Sequence, residues 1–150
     1  MLQLRVANSN DVSSVEHILV SSRNELLPYA RSPHTRQEIR TWVSEVLIPT
    51  GNVVVAHRNS EDVGVIATSV REGIGWIDQL YVLPDHLNQG VGTALLRYAQ
   101  NHLPRPIHLW TFQQNQRALC FYEHHGFNAI KYTDGENNEE KCPDALYELN

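Results

Sequence analysis

The chain has 150 residues, 41% of them hydrophobic and 19% charged, with a net charge of −5. That length suits a single domain over residues 1–150, and the composition excludes a disordered chain. The acidic balance offers no footing for non-specific nucleic-acid binding, and no stretch nears the roughly 18 apolar residues of a membrane span.

Residues 2–7, LQLRVA, alternate like a short strand. Asn8 to Asp11 is a turn rich in helix-capping residues. Val12, Val15, Ile18 and Leu19 then recur at helical spacing, in a helix that ends before Pro28. Thr35-Arg36-Gln37-Glu38 reads as a capping box. It opens a second helix with Ile39, Trp42, Val43, Val46 and Leu47 on its apolar side, closed by Pro49 and Gly51.

Three strand-like runs follow, at 52–57, 63–71 and 76–82. Their links are short and polar or glycine-bearing, which predicts antiparallel neighbours. A helix is expected behind Gly90-Val91-Gly92, then a strand at 106–112 and a helix from Arg117 to His125, capped by Gly126. Strands at 127–133 and 145–149 close the chain, separated by the polar loop 134–144. The order β-α-α-β-β-β-α-β-α-β-β mixes meander and crossover, an α+β or mixed α/β class.

The most informative segment is WIDQLYVLPDHLNQGVGTALL, residues 76–96. A glycine loop between a strand and a helix start gathers free backbone N–H groups at the positive end of the helix dipole, and that arrangement binds phosphate. A dinucleotide fold would need a third glycine or alanine and an acid about 20 residues on. The following strand ends at Thr111-Phe112 without one. A Walker loop would need Gly-Lys-Ser/Thr, whereas Gly92 is followed by Thr93-Ala94.

Leu80-Tyr81-Val82, then Pro84, then five residues to Gly90-x-Gly92 with Leu95-Leu96 behind, resembles the acetyl-CoA-binding segment of the GNAT superfamily of N-acetyltransferases. Asn115, Ala118, Phe121-Tyr122-Glu123 and Gly126-Phe127 resemble that family's second signature, with seven residues from Asn115 to Tyr122. The resemblance covers essentially the whole chain. It implies a GNAT-like acyl-CoA N-acyltransferase fold, with a mostly antiparallel twisted sheet of about seven strands and about four helices. One position departs. The family usually carries Gln or Arg three residues before the first glycine, and Leu87 stands here between His86 and Asn88.

The resemblance implies a role for each part. The backbone of Leu80, Tyr81 and Val82 would pair with the pantetheine arm of acetyl-CoA like an added strand. An amide of Val82 or Leu80 would polarise the thioester carbonyl. Amides of Asn88, Gln89, Gly90, Val91, Gly92 and Thr93 would cradle the pyrophosphate. Asn115 would bond the cofactor arm or an ordered water; as a helix N-cap it would serve equally. Tyr122 would be the general acid that protonates the departing thiolate, with a core tyrosine as the structural alternative.

General-base candidates for the acceptor amine are Asp78, which alternation would place on the strand face of Leu80, and Glu139 and Glu140 in the tail loop. Each has a plain alternative as a surface carboxylate, and the proton could also leave through water. Tyr29, Arg31 and His34 fall in the region that would meet the acceptor. The acceptor itself, a small-molecule amine or a peptide or protein amine, is not identified.

Eight scattered histidines show no metal-ligand spacing, so no metal is expected. Cys120 and Cys142 fall off the motifs and offer no covalent nucleophile. They read as reduced thiols, and the N-terminus lacks a signal-peptide pattern, so a cytoplasmic location is expected. Dimerisation is common among such proteins, and the sequence leaves a homodimer open. The functional expectation is acetyl transfer from acetyl-CoA to an amine by direct attack in a ternary complex. The alternative is a non-catalytic acyl-CoA-binding or sensor domain on the same fold.

Overall fold

The computed structural model describes residues 1–150. Strand β1 (Gln3–Val6) leads through a 3-10 turn at Ser9–Asp11 into α1 (Val12–Leu26). Asn8 and Asp11 form a reciprocal capping box at that turn. A second box, Thr35 with Glu38, starts α2 (Arg36–Trp42). The chain continues as a π-helical stretch, Val43–Leu47, and a 3-10 turn, Ile48–Thr50, that ends at left-handed Gly51. Pro49 has no N–H for the helical ladder, and the pitch changes on its approach.

The rest of the chain is β2 (Val53–Arg58), β3 (Glu61–Arg71), β4 (Ile74–Val82), α3 (Val91–His102), β5 (Ile107–Phe112), α4 (Gln116–His124), β6 (Asn128–Tyr132) and β7 (Asp144–Leu149). The seven strands form one sheet in the order β1-β2-β3-β4-β5-β7-β6. Every pairing is antiparallel except β4–β5. The short links 59–60 and 72–73 force antiparallel hairpins, while the α3 crossover permits the single parallel pair. No helix is long and apolar enough to cross a membrane.

Two apolar cores flank the sheet. On one face α3 and α4 bury Val91, Leu95, Leu96, Ala99 and Tyr122 against Val54, Ile66, Ile107 and Leu109. On the other, α1 and the segment after α2 bury Val15, Ile18, Leu19, Val43 and Leu47 against Val53, Val55 and Val65. Central β2 therefore reads as a continuous apolar run, because both its faces are covered. Gly64 lets α3 sit this close. A Cβ there would lie 2.9 Å from Val91 Cγ1 and 3.1 Å from Leu95 Cδ1.

Two irregularities in β4 shape the site. Strand β5 pairs with β4 only at Gly75, Trp76 and Ile77. Beyond Ile77 the two strands part, and residues 78–82 keep only their β3 neighbour. A bulge also breaks the β3–β4 register: Thr68 opposes Ile77, Ala67 opposes Gln79, and Asp78 has no partner. One extra residue reverses which face the following side chains take. Ile77, Leu80 and Val82 consequently all pack toward the α3–α4 core, although Leu80 is an odd step of three from Ile77. The expected placement of Asp78 on the face of Leu80 is therefore corrected: the bulge turns Asp78 to the opposite face.

Candidate active site

The parting of β4 and β5 opens a groove of about 1680 Å³. Its floor is β4 from Ile77 to Val82; its walls are the glycine loop, α4 with the turn before it, β5, and the loop between β6 and β7. Leu26, Leu27 and Tyr29, at and just beyond the end of α1, complete it.

At the glycine loop, Pro84–His86 forms a 3-10 turn, and Asn88 and Gly90 both take left-handed backbone, at φ 61° and 85°. Gly90 is the N-cap residue of α3. The reversal leaves the N–H groups of Asn88, Gln89, Gly90, Val91, Gly92 and Thr93 with no protein acceptor; Ala94 is the first to bond back, to the Gly90 carbonyl. Six consecutive free amides at a helix start form a concentrated anion site. Gly92 adds clearance, since a Cβ there would stand 3.4 Å from the Phe121 ring.

Not every side chain of the loop reaches the groove. Asn88, Gly90, Gly92 and Thr93 line it. Val91 is buried under β3, and the Gln89 side chain turns outward to Arg58. For those two residues only the backbone can serve. Leu87 lines the groove at the loop entrance. Cations nevertheless reach the loop from elsewhere. Arg117 of α4 donates to Asn88 Oδ1 at 3.3 Å, and Arg58 contacts His86 Nδ1 at 3.1 Å. Sequence reasoning missed Arg58 and Arg117, because the partners they meet lie 28 to 31 residues away and no local pattern marks such a contact.

Asn115 and Tyr122 stand on the same wall. Asn115 caps α4, its Oδ1 accepting from the Ala118 N–H at 3.2 Å, and it also lines the groove. Tyr122 is 8% exposed between Phe121 and Phe127, and its hydroxyl has no protein hydrogen-bond partner yet is not sealed off. Burial, and secondarily the neighbouring Tyr81, pushes that hydroxyl well above the usual tyrosine range.

The candidate bases are all engaged. Asp78 lines the groove but pairs with Arg71 at 3.3 Å, and Arg71 in turn covers the Trp76 ring at 4.2 Å. Glu140 pairs with Arg23 of α1 at 2.9 Å, and Glu139 meets His34 at 3.1 Å. Arg23 Nη1 also donates to the Tyr81 hydroxyl at 3.4 Å. Tyr29 lines the groove. No group of three or more His, Cys, Asp or Glu side chains is placed to hold a metal ion. Both cysteines are free thiols.

An open strand edge beside a free-amide helix start is the arrangement that the sequence resemblance implied, and comparison with known families decides the assignment. The profile of the acetyltransferase (GNAT) domain matches residues 49–129, from the turn that follows α2 to the start of β6. The chain belongs to the GNAT family.

This GNAT chain is accordingly an acyltransferase. It is 27% identical over 133 residues to an uncharacterized N-acetyltransferase of Archaeoglobus fulgidus, an alignment covering 81% of the chain and 89% of the relative. A shorter stretch of 62 residues is 34% identical to the peptidyl-lysine N-acetyltransferase YiaC of Escherichia coli, covering 41% of each. In three dimensions the chain is similar to the PaiA N-acetyltransferase of Thermoplasma acidophilum, solved in complex with coenzyme A. The TM-score is 0.78 at 16% identity, covering 99% of this GNAT chain and 98% of the other, a likeness of fold.

Proposed function

We propose that this protein acts as a single domain that moves an acetyl group from acetyl-CoA to an amine by direct attack within a ternary complex. The observation that carries the reading is the run of six unpaired amides, Asn88 to Thr93, adjoining a strand edge that β5 has released. A hydrogen bond to a charged group contributes roughly 1.5–3 kcal/mol, so several such donors outweigh the polar side chain missing at Leu87. The coenzyme A complex of PaiA supports the same choice of ligand. Free thiols at Cys120 and Cys142 suit a cytoplasmic setting.

When bound, acetyl-CoA supplies a thioester carbonyl and a thiolate leaving group. Residues 80–82 bind its pantetheine arm along the open edge, and the amide of Val82 or Leu80 polarises the carbonyl. Asn115 holds the arm from the opposite wall. Tyr122 donates its proton to the thiolate. Reference pKa values of about 10 for tyrosine and about 8.5 for a thiol make that transfer roughly 2 kcal/mol uphill. Burial raises the phenol further, but it raises a thiol in the same groove as well, so position contributes more than acidity.

The acceptor half carries Asp78, Asp134, Glu139, Glu140 and Asp144 against Arg71 and Lys131. That surplus of acids favours a cationic amine, and the lysine specificity in the name of YiaC points the same way. Glu140 is favoured over Asp78 as proton acceptor, because it sits beside the Tyr81 hydroxyl on a shared arginine. A primary amine on a peptide or a small molecule fits the open groove.

The test is CoA release from acetyl-CoA across a panel of amines, for the wild type and Tyr122→Phe. Loss of the general acid should lower kcat by about 10²-fold or more with acetyl-CoA affinity unchanged. Equal rates would remove Tyr122 from that role. Tight CoA binding with no turnover on any amine would favour the non-catalytic acyl-CoA-binding reading instead.

A further inference from the structure

Resting on that acetyltransferase reading, we infer that Arg23 of α1 builds the seat of the acceptor amine. It holds the Tyr81 hydroxyl and the Glu140 carboxylate side by side, so that Tyr81 is a second catalytic phenol on the acceptor side of the groove.

The guanidinium of Arg23 forks between three groups. Nη1 donates to Tyr81 Oη at 3.4 Å; Nη2 donates to Glu140 Oε2 at 2.9 Å and to the Ala30 carbonyl at 3.1 Å. These contacts join α1, β4 and the β6–β7 loop, with 117 residues between Arg23 and Glu140. Arg23 Nε is buried with no protein partner. The fork is set by what the two Nη atoms hold.

Tyr81 side chain and Tyr122 enter the groove from opposite faces of the sheet. Tyr81 packs toward the α1 core and Tyr122 belongs to the α3–α4 core, yet both line the one groove. The parting of β4 and β5 lets the two phenols share it. Tyr122 serves the thiolate; Tyr81 serves the nitrogen. The Tyr81 oxygen can accept an N–H of the amine and orient its lone pair. Glu140 Oε1 has no protein partner and takes the proton. In the step, the nitrogen forms the C–N bond and the C–S bond breaks. The ammonium gives one proton to Glu140 before attack, the proton shed by the nitrogen once the C–N bond has formed leaves to water, and the proton of Tyr122 goes to sulfur.

The other ionisable groups near Glu140 are accounted for. Glu139 meets His34, Lys141 Nζ donates to the Glu136 carbonyl at 2.7 Å, and Asp144 accepts from Asn138 and Thr133. Cys142 feels both Asp144 and Glu140, and burial holds it as a thiol.

The experiment compares two probes, a lysine blocked at its α-amine and a short peptide with a free α-amine. Steady-state kinetics are run at pH 7 and pH 9 for the wild type, Tyr81→Phe, Arg23→Lys and Glu140→Gln, with acetyl-CoA binding followed by calorimetry. At pH 7 only about one lysine amine in a few thousand is neutral, against roughly one α-amine in six to eleven. Each variant should therefore lose about 10- to 100-fold in kcat/KM on the lysine probe and at most about 3-fold on the α-amine, with acetyl-CoA affinity unchanged. Moving to pH 9 multiplies the neutral lysine fraction about 100-fold and should restore most of the loss. Arg23→Lys keeps the charge and loses only the fork, so it separates positioning from electrostatics. Equal losses on both probes with no recovery at pH 9 would reduce Arg23 and Tyr81 to structural residues. Acetyl-CoA binding without turnover of either probe would overturn the seat alone. Absence of acetyl-CoA binding in the wild type would remove the acetyltransferase reading and the seat with it.

Discussion

Gly64→Ala tests the link between the sheet and the phosphate cradle. Gly64 lies on β3 beneath the first turn of α3, and its missing side chain is what that turn rests on. An alanine Cβ would meet Val91 Cγ1 at 2.9 Å, Leu95 Cδ1 at 3.1 Å and the Tyr81 carbonyl oxygen at 3.3 Å. Val91 and Leu95 are 1% and 0% exposed, so neither side chain can swing outward. Overpacking of this kind costs about 1–3 kcal/mol, and the reduced backbone freedom of alanine in the unfolded chain returns about 0.4–1, leaving a loss on the order of 1–2 kcal/mol. At roughly 2–4 °C per kcal/mol for a chain of this length, Tm should fall by about 2–8 °C. Relief comes only by lifting the start of α3, which moves the free amides of Asn88 to Thr93. CoA affinity should therefore weaken by about 10-fold alongside the melt, because a cradle displaced by a fraction of an ångström loses hydrogen bonds to charge. Adding Val91→Ala removes the closest contact, and the double variant should be more stable than the sum of the singles by at least about 1 kcal/mol. Thermal melts with and without CoA, together with calorimetric titration, measure all of this. A Gly64→Ala protein that melts within 1 °C of the wild type (~1 °C being well below the expected shift) and binds CoA equally would refute the reasoning.

Three further outcomes follow from named contacts. Leu87→Arg, at the groove-lining loop entrance, should tighten CoA binding by about 10-fold or more, since one charge-assisted hydrogen bond contributes roughly 1.5–3 kcal/mol; unchanged affinity in a titration would show that the six amides already saturate the site. Asp11 is held below the usual carboxylate range chiefly by the hydrogen bond from Arg5 at 2.7 Å. A depressed folded pKa gives stability that is present above the unfolded value of about 3.9 and lost as pH falls through the folded one. Arg5→Met should thus flatten stability against pH below about pH 4 and cost on the order of 1 kcal/mol at pH 7, with the exposure of Arg5 keeping the figure small; an unchanged acid limb in denaturant titrations would count against the pair. Thr35→Ala removes the N-cap that accepts from the Glu38 N–H at 3.1 Å and should cost about 1 kcal/mol in a chemical melt.

The parts of the fold that the sequence disclosed are those whose cause is local. Thr35 and Glu38 are three residues apart and cap the same turn. The two-residue links around β3 can only be hairpins. Gly90 must stand where the backbone turns left-handed at a helix start. Asn115 and Tyr122 fall two turns apart on one helix, so their shared wall follows from helical periodicity alone.

The acceptor side was hidden because its causes are not local. The inward face of Asp78 was reasoned from strict alternation, but one residue bulges out of register with Ala67 and Thr68, and nothing in the run WIDQLYV marks where. The same bulge sends Tyr81 to the α1 face, where Arg23 waits. Arg23 and Glu140 meet across 117 residues, with strands β2 to β6 built between them. Periodicity reports which residues share one element, and an ion pair drawn from two elements has no period. The free-amide loop and the helix that carries Asn115 and Tyr122, the proposed cofactor half, were therefore readable from the chain. The proposed amine half, assembled by a bulge, a parted strand pair and an arginine fork, required the three-dimensional arrangement.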